Sequence, residues 1–157
     1  MRLTLLKSGI MPDPQADQGH HHFTYSLLPH PGDWRAGAVI AHAAALNTPL
    51  RARLAAAGAG TSGDASHSLV TCDRPGLIID TIKPAIDGRG LIVRFYEGHG
   101  TRGPATLTFA HPIAWIEECN LLEDRLDTPV RVTGHDISLE VLPYGLRTLR
   151  VGLHNRE

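Results

Sequence analysis

The feature that most constrains the fold is a series of short segments, between residues 67 and 153, in which apolar and polar side chains alternate. Successive side chains of a β-strand point to opposite faces, so this alternation predicts strands with one buried face. The segments are SLVTC, GLIIDTIKPA, LIVRFYEG, ATLTFA, DISLEVLP and YGLRTLRVGL. Asp87-Gly88 separates two of them and predicts a tight hairpin. Several short strands with turns between them predict a small β-sandwich over residues 67–157.

The alternation also predicts which side chains form the core. The inward-facing sets are Ala105, Leu107 and Phe109; Ile137, Leu139 and Val141; and Leu149, Val151 and Leu153. The segment IAWIEECNLLE, residues 113–123, is compatible with a further strand, although an amphipathic helix fits its LLEDR end nearly as well.

Residues 1–54 follow a different pattern and are predicted to form a separate part of the fold. After an initial loop, the alternation over residues 22–28 predicts a half-buried strand. An alanine-rich helix is predicted near residues 33–46, with Asp33 as its N-terminal cap. Residues 55–66 are rich in glycine and alanine, which is typical of an exposed linker.

Composition excludes several classes of protein. The chain has 157 residues, of which 42% are hydrophobic and 20% charged, and these are values of a folded globular protein. Its net charge is −1 and it has no run of basic residues, so we expect neither nucleic acid nor a membrane surface as a partner. No apolar run is long enough to cross a bilayer. The two cysteines, Cys72 and Cys119, are far apart in sequence, which favours a reducing, cytoplasmic environment.

The run of three histidines in DQGHHHFTYSLLPH, residues 17–30, raises the question of a metal site. Zinc needs three or four ligands that converge on it. On a strand His20 and His22 share one face while His21 points away, so the run supplies two ligands at best. The pattern therefore favours the polar edge of a strand, and we expect no metal or cofactor in this chain.

No catalytic residue can be assigned from motifs. The acidic residues lie mostly in turns or on outward strand faces without an obvious pair of the kind a glycosidase needs, and the nucleophile motif GxSxG is absent. Ser, Asp and His occur together in TSGDASHS, but within the predicted linker. The arginines Arg94, Arg147 and Arg150 on strands are expected to be solvated rather than to bind a ligand.

Several longer stretches resemble one known family. They are RLTLLKSGIMPDPQADQGHHHFTYSLLPHPGDW, LNTPL, SLVTCDRPGLIIDTIKPAIDGRGLIVRFYEGHGTRGPATLTF, ECNLLE and LRTLRV. In this order they are similar to the C-terminal β region of glycoside hydrolase family 38, the α-mannosidases, and most of all to its bacterial and cytosolic-type members. The resemblance spans essentially the whole chain.

The resemblance implies a mainly β fold and a function within a larger enzyme. Residues 1–54 would be the end of a large galactose mutarotase-like β-sandwich, and residues 67–157 a small C-terminal β-sandwich. The family's catalytic barrel, with its zinc and aspartates, and its helix bundle have no counterpart here, so they are the expected partners and no catalytic residue carries over. The chain is thus expected to be a non-catalytic domain that supports the barrel, contributes to carbohydrate binding and is inactive alone.

Two other functions stay open at this point. A free-standing carbohydrate-binding module would stack sugar on Trp34, Tyr96 or Trp115, and a self-contained enzyme would hydrolyse mannosides unaided. The candidate residues for contact with carbohydrate or with a neighbouring domain are Asp17, His20, His22, Trp34, Arg94 and Tyr96.

In the first part of the chain we expect an apolar face that is exposed to solvent. Leu3, Leu5 and Leu6 follow the initiator almost at once, as if the chain began within a strand of a longer protein. Strands of this kind would expose unpaired backbone groups and apolar side chains. We therefore expect self-association through residues 1–30.

Overall fold

A computed structural model describes residues 2–54 and 66–154. The chain divides into two compact units, residues 1–46 and residues 47–157. Apart from Ser66, the predicted linker lies outside the described residues.

The first unit contains one helix, α1 (Val39–Asn47), whose last residue is the first residue of the second unit. Within residues 2–54 no strand is described, so the strand predicted over residues 22–28 has not formed. A strand requires a neighbour for its N–H and C=O groups, and the described part of this unit supplies none. The apolar side chains of the segment are accordingly exposed, by 46% at Phe23, 70% at Tyr25 and 75% at Leu27.

The helix begins later than residue 33. Asp33 does cap a turn, since its Oδ1 accepts hydrogen bonds from the backbone N–H groups of Arg35 (3.0 Å) and Ala36 (2.9 Å). Ala38 then has a φ of 47°, which is outside the right-handed helical region and interrupts the helix before Val39. No residue of α1 is fully buried, and alanine, the best helix former, occupies four of its nine positions.

The second unit is a sandwich of two antiparallel sheets, as predicted. Its strands are β1 (Val70–Cys72), β2 (Leu77–Pro84), β3 (Leu91–Glu97), β4 (Gly103–Phe109), β5 (Ile113–Cys119), β6 (Arg125–Leu126), β7 (Arg131–Thr133), β8 (Asp136–Val141) and β9 (Leu146–Leu153). The four-stranded sheet has the order β1-β4-β8-β7, and the five-stranded sheet has the order β2-β3-β9-β5-β6. The mainly β fold class is therefore confirmed.

Local sequence explains the tight turns. Between β2 and β3 the N–H of Ala85 donates to the carbonyl of Gly90 (3.1 Å), and Gly88 has a φ of 77° that favours glycine. The predicted hairpin is thus confirmed. The segment after residue 113 forms a strand, and its LLED end is a turn in which Asn120 Oδ1 accepts from the N–H of Leu122 (2.8 Å) and of Asp124 (3.0 Å).

The core lies between the two sheets and includes the predicted inward faces of β4, β8 and β9. From the four-stranded sheet come Ala105, Leu107, Phe109, Ile137, Leu139 and Val141; from the five-stranded sheet come Val93, Phe95, Leu149 and Val151. Leu153 packs against this cluster and is half-buried. Burying each large side chain contributes about 1.5–3 kcal/mol, so this strip of side chains supplies most of the driving force for folding.

The outer face of the five-stranded sheet corrects an expectation about the arginines. Arg94 donates to Thr148 Oγ1 (3.2 Å) and to the carbonyl of Leu121 (3.1 Å), because the turn after β5 folds across this face. Arg150 donates to the carbonyl of Arg89 (2.9 Å) and pairs with Asp87. The expectation that these side chains are simply solvated was wrong: protein acceptors hold both of them.

Candidate functional site around Glu97

The most unusual polar group of the second unit is the carboxylate of Glu97, the last residue of β3. Strand alternation turns Val93, Phe95 and Glu97 to the same, inward face, so the carboxylate sits at the end of the core and is fully buried. Both of its oxygens are satisfied. Oε1 accepts from the N–H of His99 (3.0 Å) and from Thr101 Oγ1 (2.7 Å). Oε2 accepts from the N–H groups of Gly100 (2.7 Å), Thr101 (3.0 Å) and Tyr144 (3.2 Å).

These hydrogen bonds keep Glu97 ionised. Burial on its own acts to raise the pKa, but the donors Thr101, Tyr144 and His99 outweigh it and lower the pKa of Glu97 from 4.5 to about 2. A carboxylate that is ionised and surrounded by donors has no proton to give and no free lone pair to act as a base. Glu97 is therefore a structural anion.

Glu97 connects three loops, which we call the three-loop cluster: residues 73–76, 98–102 and 142–145. The N–H of Glu97 donates to the carbonyl of Gly145 (3.0 Å), and the N–H of Gly98 donates to that of Gly76 (2.8 Å). Arg74 adds bonds to Thr101 Oγ1 (2.7 Å) and to the carbonyl of Pro104 (3.1 Å). Hydrogen bonds to both backbone and side-chain atoms hold the cluster, which fixes its shape.

The cluster displays a tyrosine in a constrained position. Tyr144 has a φ of 56°, which is rare for an aromatic residue, and its N–H is held by Glu97. Its ring lies against Gly100, where a Cβ would come within 2.5 Å of the Tyr144 hydroxyl oxygen. Gly100 also has a φ of 72°, so glycine is required there for both conformation and space.

A cavity of about 720 Å³ opens beside this turn, between the edges of the two sheets. Its walls include Phe95, Val130, Leu139, Val141, Leu142 and Leu146. Inside it Arg147 forms a two-pronged ion pair with Glu118, with distances of 2.8 Å for Nε–Oε1 and 2.6 Å for Nη2–Oε2. Arg147 was expected to be solvated, but its position opposite Phe95 in the β3–β9 ladder turns it inward, where Glu118 neutralises it.

Four of the sequence-predicted site residues lie in the first unit. Asp17, His20 and His22 are exposed, and the carbonyl of Asp17 lies 2.7 Å from Nε2 of His21. The Arg35 guanidinium lies 4.5 Å from the centre of the Trp34 ring and covers it.

The other two, Arg94 and Tyr96, share the outer face of β3, opposite to Glu97. Tyr96 is half-buried. The structure does not bring Arg94 or Tyr96 together with the three-loop cluster. The sequence did contain a signal for Glu97, because a carboxylate at the inward position of an otherwise apolar strand must find several donors in the fold.

Metal and thiol chemistry find no support in the described residues. In residues 2–54 and 66–154 no group of three or more His, Cys, Asp or Glu side chains is placed to hold a metal ion. A zinc ion would therefore find no set of three such donors there. Burial raises the pKa of both Cys72 and Cys119, so neither thiol is activated as a nucleophile. In the same part of the chain, no helix has the length and apolar character needed to span a membrane.

Comparison with known proteins gives the family. Residues 76–149 match the model of the glycosyl hydrolases family 38 C-terminal beta sandwich domain. The chain is 33% identical over 159 residues to alpha-mannosidase 2C1 of Mus musculus, covering 99% of this chain and 15% of that protein. It is 35% identical over 144 residues to the Homo sapiens protein of the same name, covering 90% of this chain and 14% of that protein.

A third relative gives the same result. Alpha-mannosidase G of Dictyostelium discoideum is 31% identical over 153 residues, covering 94% of this chain and 14% of that protein. The chain thus spans 14–15% of the length of these relatives. The resemblance predicted from the sequence motifs is confirmed. Residues 76–149 therefore carry the C-terminal β-sandwich domain of glycosyl hydrolase family 38.

Proposed function

We propose that this chain acts as the non-catalytic C-terminal β region of an α-mannosidase and supports the enzyme's catalytic barrel and helix bundle. The observation that carries the proposal is the extent of the match: relatives named α-mannosidases align with 90–99% of this chain, which corresponds to only 14–15% of their length. A region that forms so small a part of each relative contributes to an activity that the whole enzyme performs.

The chemistry of the described carboxylates agrees with a supporting role. Hydrolysis of a glycoside requires two carboxyl groups on either side of the bond to be broken, one of them able to donate a proton. Glu97 is saturated with donors, and Glu118 is neutralised by Arg147. We therefore assign mannoside hydrolysis, and the zinc that the family implies, to the part of the enzyme outside this chain.

The first unit supports a role within a larger sandwich. Residues 22–28 alternate as a strand does but have no ladder partner among the described residues, and Phe23, Tyr25 and Leu27 are exposed. Exposed apolar faces and unpaired edges of this kind are typical of surfaces that another element covers. We propose that residues 1–54 complete a large β-sandwich with the enzyme's other strands. In the isolated chain, residues 1–30 of this unit would mediate self-association.

Direct carbohydrate binding by this chain has weaker support. The ring of Trp34 is covered by Arg35, and Trp115 packs against Gly90 and Gly152, so these rings are not free stacking platforms. Asp17, His20 and His22 remain candidates for contact with sugar or with a neighbouring domain. The free cysteines Cys72 and Cys119 are consistent with a cytoplasmic location for the enzyme.

Activity of the isolated chain tests the assignment. We expect no release of aryl alcohol from an aryl α-mannoside, with or without added zinc. Turnover that follows the chain through purification, and that is lost when one of its own carboxylates is replaced, would contradict the proposal. A preparation from the same host without this chain, carried through the same purification, controls for contaminating mannosidase.

A further inference from the structure

One turn of the sandwich exposes an unusual concentration of apolar surface. Leu142, Tyr144 and Leu146, all within five residues, are exposed by 54%, 69% and 48%. Single exposed apolar residues are ordinary, but a contiguous group on one turn marks a surface that another molecule covers.

The turn is also built to keep its shape. The N–H of Gly145 donates to the carbonyl of Leu142 (2.9 Å), and the buried carboxylate of Glu97 holds the N–H of Tyr144. These hydrogen bonds hold the backbone of Tyr144 at its positive φ. A surface that is already ordered loses little conformational entropy when it binds, which is the physical advantage of this construction.

The 720 Å³ cavity continues this surface. Leu142 and Leu146 belong both to the exposed turn and to the cavity wall, whose exposed area is mostly apolar although charged side chains such as Arg131 and Glu140 also line it. An exposed aromatic residue close to a partly apolar cavity is an arrangement found at protein–protein interfaces. Leu142 and Leu146 offer no hydrogen bonds to sugar hydroxyls, so these two side chains favour an apolar protein surface over a carbohydrate.

We propose that Leu142, Tyr144, Leu146 and the adjoining cavity form a docking surface for the part of an α-mannosidase that lies N-terminal to this domain, with Glu97 as its positioning residue. The inference rests on the proposed function. The occupant follows from the comparisons, because the relatives that align with nearly all of this chain have most of their length outside the aligned region. A second apolar turn provides the control: Leu121 and Leu122 are similarly exposed but do not line this cavity.

Side-chain footprinting tests the docking surface directly. We would compare hydroxyl-radical oxidation of this chain alone with that of a replacement protein, namely full-length mouse alpha-mannosidase 2C1 in which this chain takes the place of the segment it matches. Oxidation of Tyr144 and Leu146 should slow roughly five-fold in the replacement protein, because the centre of an interface excludes water. Oxidation of Leu122 should change little.

The outcomes separate the docking surface from the proposed function. Protection of Leu122 or of Phe23 without protection of Tyr144 would overturn the docking surface and leave the supporting function intact. No protection at any apolar side chain would overturn both. Protection of Tyr144 in the isolated chain that increases with concentration would assign the surface to a second copy of this chain and overturn the inference.

A variant separates the tyrosine ring from the fold. Tyr144→Gly removes the ring but keeps a residue that adopts a φ near 56° without strain, so the sandwich should fold. In the replacement protein this variant should restore most of the oxidation of Leu146, whereas Leu122→Gly should not. Unchanged protection of Leu146 in Tyr144→Gly would show that the ring is not an anchor of the interface.

Discussion

Replacing Glu97 by glutamine should cost more stability than any other single isosteric change of a carboxylate in the second unit. Glutamine keeps one acceptor oxygen but replaces the other by an NH₂ group, which cannot accept a hydrogen bond. Whichever oxygen is replaced, at least two donors lose their acceptor in a buried site: the His99 N–H and Thr101 Oγ1 at one position, or the N–H groups of Gly100, Thr101 and Tyr144 at the other. Each buried donor left without a partner costs about 1–3 kcal/mol, so we expect a loss of about 2–5 kcal/mol in the free energy of unfolding.

Urea denaturation at pH 7 measures this loss. The chain has two tryptophans, so the background Trp34→Phe leaves Trp115, in β5, as the fluorescent reporter of the sandwich. The matched control is Glu140→Gln, an exposed carboxylate on β8, whose unfolding free energy should change by less than about 0.5 kcal/mol. Equal losses in the two variants would refute the account of Glu97 as the anion that organises the three-loop cluster.

The same comparison has a defined pH dependence. The pKa of Glu97 is lowered from 4.5 to about 2 in the folded state, so its contribution is complete above about pH 4.5 and is lost as the pH falls towards 2. The difference in stability between wild type and Glu97→Gln should therefore shrink over this interval. A difference that stays constant from pH 5 to pH 2.5, as sampled in about half-unit steps, would show that the ionised form is not the stabilising one.

Three further changes test other parts of the structure. Gly100→Ala should lower the free energy of unfolding, measured by urea denaturation, by about 1–2 kcal/mol more than Gly88→Ala. Both glycines have positive φ, but only at Gly100 would the new Cβ meet the Tyr144 ring, so equal losses would refute that contact. Arg147→Met should lower the free energy of unfolding by about 2–4 kcal/mol because it leaves Glu118 buried without its cation. Adding Glu118→Leu should recover most of the loss, and no recovery would show that the two residues do not act as a pair. Replacing His20, His21 and His22 together by serine should change the stability by less than about 0.5 kcal/mol, and a chelator that lowers the melting temperature of wild type but not of this variant would reveal a metal site.

The sandwich strands could be predicted because their alternation records which face is buried. The faces carrying Leu107, Ile137 and Leu149 needed no knowledge of a partner beyond the chain itself, and the Asp87-Gly88 turn fixed one register locally. The segment at residues 22–28 has the same alternation but forms no strand, since pairing depends on a neighbour that the described chain lacks.

The candidate site was harder to predict for a physical reason. Glu97 is one carboxylate in a strand, and its importance arises from Tyr144, which is distant in sequence and comes close only after β9 pairs with β3. The start of α1 could not be predicted either, because the φ of Ala38 is set by the turn that Asp33 caps. Local patterns predict elements, whereas contacts between loops require the assembled fold.

The measurement that most directly tests the central claim is the rate of aryl α-mannoside hydrolysis by three proteins: mouse alpha-mannosidase 2C1, the same protein with its matched segment deleted, and the replacement protein that carries this chain instead. If this chain is the supporting C-terminal region of an α-mannosidase, deletion should abolish the activity and the replacement protein should recover a substantial part of it. Full activity after deletion, or a replacement protein as inactive as the deletion although it folds, would contradict the account.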